Sequence, residues 1–330
     1  MSDLIFSLNI VMPMAILLAI GYLFKRIGLM NDAFLASGKK LCFYVLLSCS
    51  LFKNLYDSTL DVIPVGFITF VVVMILAEAL ICVFAAKALA EKRNEIGVII
   101  QGGFRSNFAY IGIPLASMFF TDPAMLQRTS SEISLVSIFT IPLFNVLAVV
   151  ALMAFSDDKD DTDFLKKSLS GILKNPCIIS IFCGILVLLF RLAVPSGAFF
   201  VRDSLPFIYK VLGYLASMST PFSFLLVGAS LDFSHSVANI RKLSAVVALR
   251  DLILPGIVLC TAYLFHAADA VEYAILVSVF ASPTAVSSAI MAAEMGGDRR
   301  LADEIVVYTT LFSMFSLLII IYCLKMTGCL

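Results

Sequence analysis

Charge is scarce in this sequence and histidine scarcer still, and its long apolar runs never alternate with polar residues as a half-buried strand would. Charged residues make up 14% of the 330 and apolar residues 61%, with a mean hydropathy of +1.03, which excludes a water-soluble domain of this size. Runs such as 71–90 are apolar almost throughout, which excludes a membrane β-barrel, whose strands need a two-residue period. The two histidines, His235 and His266, fall at the ends of apolar segments, and the eight cysteines have no paired spacing, so no metal centre or disulfide framework is expected. No Ser/His/Asp, paired-aspartate or histidine-metal arrangement falls at membrane depth, which argues against an enzyme and against any cofactor. Formal net charge is zero, so nothing supports a nucleic-acid partner.

What is present is a series of apolar segments long enough to cross a bilayer, each about 20 residues for a hydrocarbon layer of roughly 30 Å. Ten are read at 4–24, 33–53, 62–90, 95–120, 130–155, 171–192, 205–231, 241–265, 270–294 and 301–325. The expected fold is therefore all-α and integral to the membrane. Asp3 and the length of the first apolar run argue against a cleaved signal peptide. Fifteen Lys and Arg residues fall in loops on one side of this arrangement and six on the other, which places both termini outside a multi-pass cell membrane. The stretch Asp157 to Lys167 reads as a solvated loop, within a cytosolic linker at 156–170.

Two five-helix halves, 1–155 and 171–330, share landmarks. Pro13 precedes Gly21 by eight residues in the first helix, Pro176 precedes Gly184 by eight in the sixth, and Pro114 and Pro283 fall mid-run in the fourth and ninth. Five is odd, so the second half enters the membrane from the opposite side and the repeat is inverted. Proline removes a backbone donor and clashes with the preceding turn, so Gly112-Ile113-Pro114 and Ser282-Pro283-Thr284 are each expected to interrupt a helix. Interruptions in matching positions point to a transporter's binding site; a packing kink is the alternative for either proline alone.

Four charges, Glu78, Arg105, Arg250 and Asp251, lie well inside apolar segments, where each costs about 3 kcal/mol on insertion scales. Glu78 and Asp251 are each expected to lie roughly 13 Å deep, nine residues from Lys87 and Lys242. Either acid could pair with Arg105 or Arg250, but neighbours Arg250 and Asp251 diverge by about 100 degrees and should not satisfy one another. Two readings stay open: structural ion pairs, or an arginine that attracts a substrate carboxylate beside an acid that accepts a coupling proton. Asn107, Tyr110, Ser282, Thr284, Ser287 and Ser288 add uncharged hydrogen-bonding groups beside the expected breaks.

These residues resemble the auxin efflux carrier family, the plant PIN-type carriers and bacterial relatives named for malonate or malate. The resemblance is carried by Pro13 to Gly28 with the Phe43-Tyr44 helix, Asn107 to Leu115, Gly228 to Leu231, Arg250 with Pro255, and Ser282 to Val286 running into Ala293 to Gly296. It implies ten helices in two inverted repeats, a crossover of broken helices 4 and 9, elevator-like alternating access and a homodimer. By the same resemblance the substrate contact falls on Asn107, the crossover prolines on Pro114 and Pro283, the helix-8 arginine on Arg250 and a helix-3 acid on Glu78. Ser48 stands where the family usually has a helix-2 proline, which predicts a less bent helix. The implied activity is secondary transport of a small mono- or dicarboxylate, with proton or sodium coupling open. A sodium-coupled symporter of the bile-acid-transporter type and a ligand sensor that moves nothing are the rivals.

Overall fold

The computed structural model describes residues 2–57, 64–155, 176–193, 201–231 and 240–330. His235 and the linker expected at 156–170 lie outside them. Among the described residues the chain is helical without strands: α1 (Ser2–Arg26), α2 (Asp32–Tyr56), α3 (Val65–Leu89), α4 (Arg93–Phe104), α5 (108–116), α6 (Pro123–Phe155), α7 (Pro176–Ala193), α8 (Pro206–Ala229), α9 (Ile240–Leu264), α10 (Ala270–Phe280), α11 (Ser287–Glu294) and α12 (Arg299–Met326). Seven of these, α1, α2, α3, α6, α8, α9 and α12, are long and apolar enough to cross a membrane. Helices satisfy their own backbone groups, which is what an apolar solvent demands.

Helix starts follow local chemistry. The side chain of Asn31 accepts the Phe34 amide at 2.9 Å to open α2, Asp269 and Glu272 form a reciprocal capping box at α10, and Asp298 accepts the Leu301 amide at 3.0 Å at α12. Small residues then set helix approach. A Cβ on Gly21 of α1 would sit 2.1 Å from the Leu225 carbonyl oxygen of α8, and one on Gly228 of α8 would sit 2.0 Å from the Leu18 oxygen of α1. The two backbones touch because neither glycine has a side chain, the packing mode that replaces the hydrophobic effect between helices in lipid.

Two helical segments are interrupted, at residues 105–107 between α4 and α5 and at residues 281–286 between α10 and α11. Pro283 lies in the second gap as expected, but Pro114 does not make the first. It sits in the first turn of the α-helical stretch Ile113–Ala116, behind a π-helical turn, Phe108–Gly112. The wider turn, closed by the Ile113 amide onto the Phe108 carbonyl, absorbs the proline's missing donor without ending the helix. Pro255 is accommodated the same way behind the π-turn Leu249–Ile253. A third π-turn, Cys42–Leu47, ends immediately before Ser48, so α2 is irregular there without a proline.

Candidate functional site

The two gaps meet. Ser106 and Thr284 form an isolated antiparallel bridge, flanked by Asn107 N–H to the Pro283 carbonyl at 2.7 Å and Ala285 N–H to the Arg105 carbonyl at 3.1 Å. The freed backbone groups of each interruption thus satisfy the other, the condition for irregular backbone inside a membrane protein.

Four half-helix ends converge at this crossover, and they divide by sign. The carbonyl ends of α4 and α10 point to Arg250, which is fully buried. Its Nη1 donates to the carbonyls of Gly103 at 3.3 Å and Phe104 at 3.0 Å, and its Nε and Nη2 donate to that of Ser282 at 2.9 and 2.5 Å. A cation at helix C-termini complements their partial negative charge. Glu78 is the carboxylate beside it, with Oε2 3.8 Å from Nη1, while both Asp251 oxygens are buried without a hydrogen-bond partner. The hydroxyls follow suit: Thr284 Oγ1 donates to the Gly102 carbonyl at 2.6 Å, and Ser282 Oγ to that of Ser278 at 2.7 Å. Arg250, Ser282, Pro283 and Thr284 therefore brace the crossover from within, and Pro114 is buried beyond it.

The amino ends of α5 and α11 face the other way, into a cavity of about 360 Å³ between Phe43, Ile141 and Phe144. In α5 the Ile111 and Gly112 amides both return to the Asn107 carbonyl, so those of Phe108, Ala109 and Tyr110 have no acceptor within the helix. Arg105 lines the same cavity. It is 5% exposed, donates Nη2 to Asn145 Oδ1 at 2.7 Å and Nη1 to Ser288 Oγ at 3.4 Å, and has no carboxylate partner among the described residues. The buried Ser106 Oγ and Asn107 Nδ2, also at this wall, have no partner either. Tyr110 stacks on Phe43 with ring centroids 6.2 Å apart and donates its hydroxyl to the Lys39 carbonyl at 3.2 Å.

The two arginines expected from the sequence thus have different surroundings. Arg250 is consumed by carbonyls and Glu78, whereas Arg105 adds a positive charge beside two positive helix ends. That is unfavourable unless an anion joins them. Of the other expected site residues, Asn107 and Tyr110 line the cavity with Arg105, and Asp251 pairs with neither arginine. Sequence reasoning missed Asn145 and Phe144. An asparagine in the apolar run of α6 was the available signal, since an amide in lipid needs a partner much as a charge does.

Apolar spanning helices around two meeting interruptions define a multi-pass membrane transport protein. The chain belongs to the membrane transport protein family, that of the auxin efflux carriers and PIN proteins, whose family model matches residues 6–321. No curated protein matches it closely enough to suggest a substrate.

Proposed function

We propose that the protein is a secondary carrier for a small organic anion, a mono- or dicarboxylate, which binds in the cavity between the amino ends of α5 and α11. The observation that carries this is Arg105, a buried cation that meets two helix N-termini and, among the described residues, no carboxylate. Helix N-termini and an arginine are complementary to a carboxylate, and the unpartnered Asn107 Nδ2 and Ser106 Oγ supply further hydrogen bonds. Phe43, Ile141 and Phe144 give the site an apolar wall for the organic part of the ligand.

Access alternates by rigid-body movement of one helix bundle past another, in an elevator fashion, across ten spans arranged as two inverted repeats. The glycine packing supports the repeat. Gly21 of the first helix packs on α8, the seventh span, while Gly184 of the sixth packs on Leu55 of α2, the second, so equivalent glycines meet equivalent helices in exchanged order. In this reading both termini face outward in the cell membrane and a second copy associates through helices outside the crossover. Glu78 and Asp251 are the acids available for proton coupling. Uptake of radiolabelled acetate, malonate, malate and indole-3-acetate into proteoliposomes tests the reading. Transport of at least one, lost in Arg105→Gln, supports it; transport of none, or full transport by the variant, refutes it.

A further inference from the structure

A second and larger cavity, of about 800 Å³, opens beside the first at the end of the bundle that carries Lys25, Arg26, Lys39 and Arg299, with Asp32 and Asp303 as its acids. These residues come from α1, α2 and α12, and the four cations are among those that the positive-charge count places on the cytosolic side. Most of the charges are answered locally. Lys25 pairs with Asp32, Arg299 Nε lies 3.6 Å from Asp303, and exposed Arg26 donates to the Tyr22 hydroxyl at 2.9 Å and lies over its ring. Lys39 is different: it is half-buried and its ammonium has no carboxylate or hydrogen-bond partner among the described residues.

The partition between the two cavities is one turn thick. On α2, Lys39 lines the outer cavity and Phe43, four residues on, lines the crossover cavity; where the second gap runs into α11, Val286 and Ala289 line the former and Ala285 and Ser287 the latter. Tyr110 closes the seam, its ring on Phe43 and its hydroxyl on the Lys39 carbonyl. We propose that the two cavities are successive compartments of one pathway and that Lys39 is a selectivity residue at its cytosolic mouth. There it draws an organic anion in before the anion passes the Tyr110–Phe43 stack to reach Arg105. The proposal rests on the carrier reading and extends it to a side-specific role for a second cation.

The test is sided flux, in inside-out and right-side-out vesicles, using whichever of radiolabelled acetate, malonate, malate or indole-3-acetate the wild type moves fastest. Lys39→Gln should raise half-saturation roughly tenfold when the anion is presented from the Lys39 side, as expected for losing one charge at a partly solvated site. From the opposite side it should be unchanged. Lys39→Arg should restore the wild-type value, and exposed Lys40→Gln should leave both sides alone. An equal shift from both sides, or none, overturns the role given to Lys39 even where Arg105→Gln abolishes transport. Retained transport in Arg105→Gln, or no transport of any of the four anions by the wild type, overturns the carrier reading and the vestibule with it.

Discussion

Replacing Arg105 with glutamine separates a binding cation from a structural one, and the expected result has opposite signs for stability and for affinity. Arg105 is buried, hydrogen-bonded to Asn145 and Ser288, and faces two helix N-termini with no carboxylate among the described residues. Holding such a charge out of water costs several kcal/mol. Glutamine keeps a donor near Asn145 Oδ1 and removes the charge, so the thermal midpoint should stay level or rise. A bound carboxylate about 4 Å from the guanidinium, at an effective dielectric constant near 20, gains about 4 kcal/mol, or roughly a thousandfold in affinity. Thermal unfolding of purified protein in detergent reads both quantities, because a ligand of the folded state raises the midpoint in proportion to its binding. Arg105→Gln should unfold no earlier than wild type while losing the midpoint shift that the best of a panel of carboxylates produces. A midpoint several degrees lower with the ligand-induced shift intact would refute the assignment and make Arg105 a brace.

Arg250 should behave in the reverse way. Arg250→Gln removes the donors to three carbonyls and strands Glu78, so it should destabilise by about 3–5 kcal/mol, read as a lower midpoint and poor yield of folded protein. Asn107→Ala removes an amide nitrogen that has no protein partner among the described residues, so stability should change little while carboxylate affinity falls roughly tenfold or more, as for one charge-assisted hydrogen bond, in a titration followed by thermal shift. Gly228→Ala places a Cβ 2.0 Å from the Leu18 carbonyl oxygen and should force α1 and α8 apart, with loss of monodisperse protein on size exclusion. Gly256→Ala, with open space around its Cβ, should elute as wild type does.

Much of this fold is legible from hydropathy, because a helix in lipid is specified by a long apolar run and little else. Seven of the ten expected segments fall on helices long and apolar enough to cross a membrane, and the acidic run after residue 156 lies outside the described residues. The exact place of the first interruption is not legible, because a proline's effect on a helix is not decided by the proline alone. At Pro114 and Pro255 the chain inserts a π-turn before the ring, an adjustment that depends on neighbouring helices rather than on the local sequence. That Arg105 and Arg250 lie inside apolar segments and are buried is legible too, but their division of labour is not. It depends on whether carbonyl ends or amide ends of half-helices point at each guanidinium, a tertiary fact set by which gap meets which. Arg250, the helix-8 arginine of the resemblance, has its donors occupied by backbone oxygens.

The most direct test of carriage by the crossover is counterflow. Proteoliposomes preloaded with unlabelled malonate, malate, acetate or indole-3-acetate and diluted into a trace of the same labelled anion should accumulate label transiently above equilibrium, and Arg105→Gln vesicles should not. Saturable binding of one of these anions by the wild-type protein with no transient accumulation of it would contradict the account, leaving a sensor that holds its ligand without moving it.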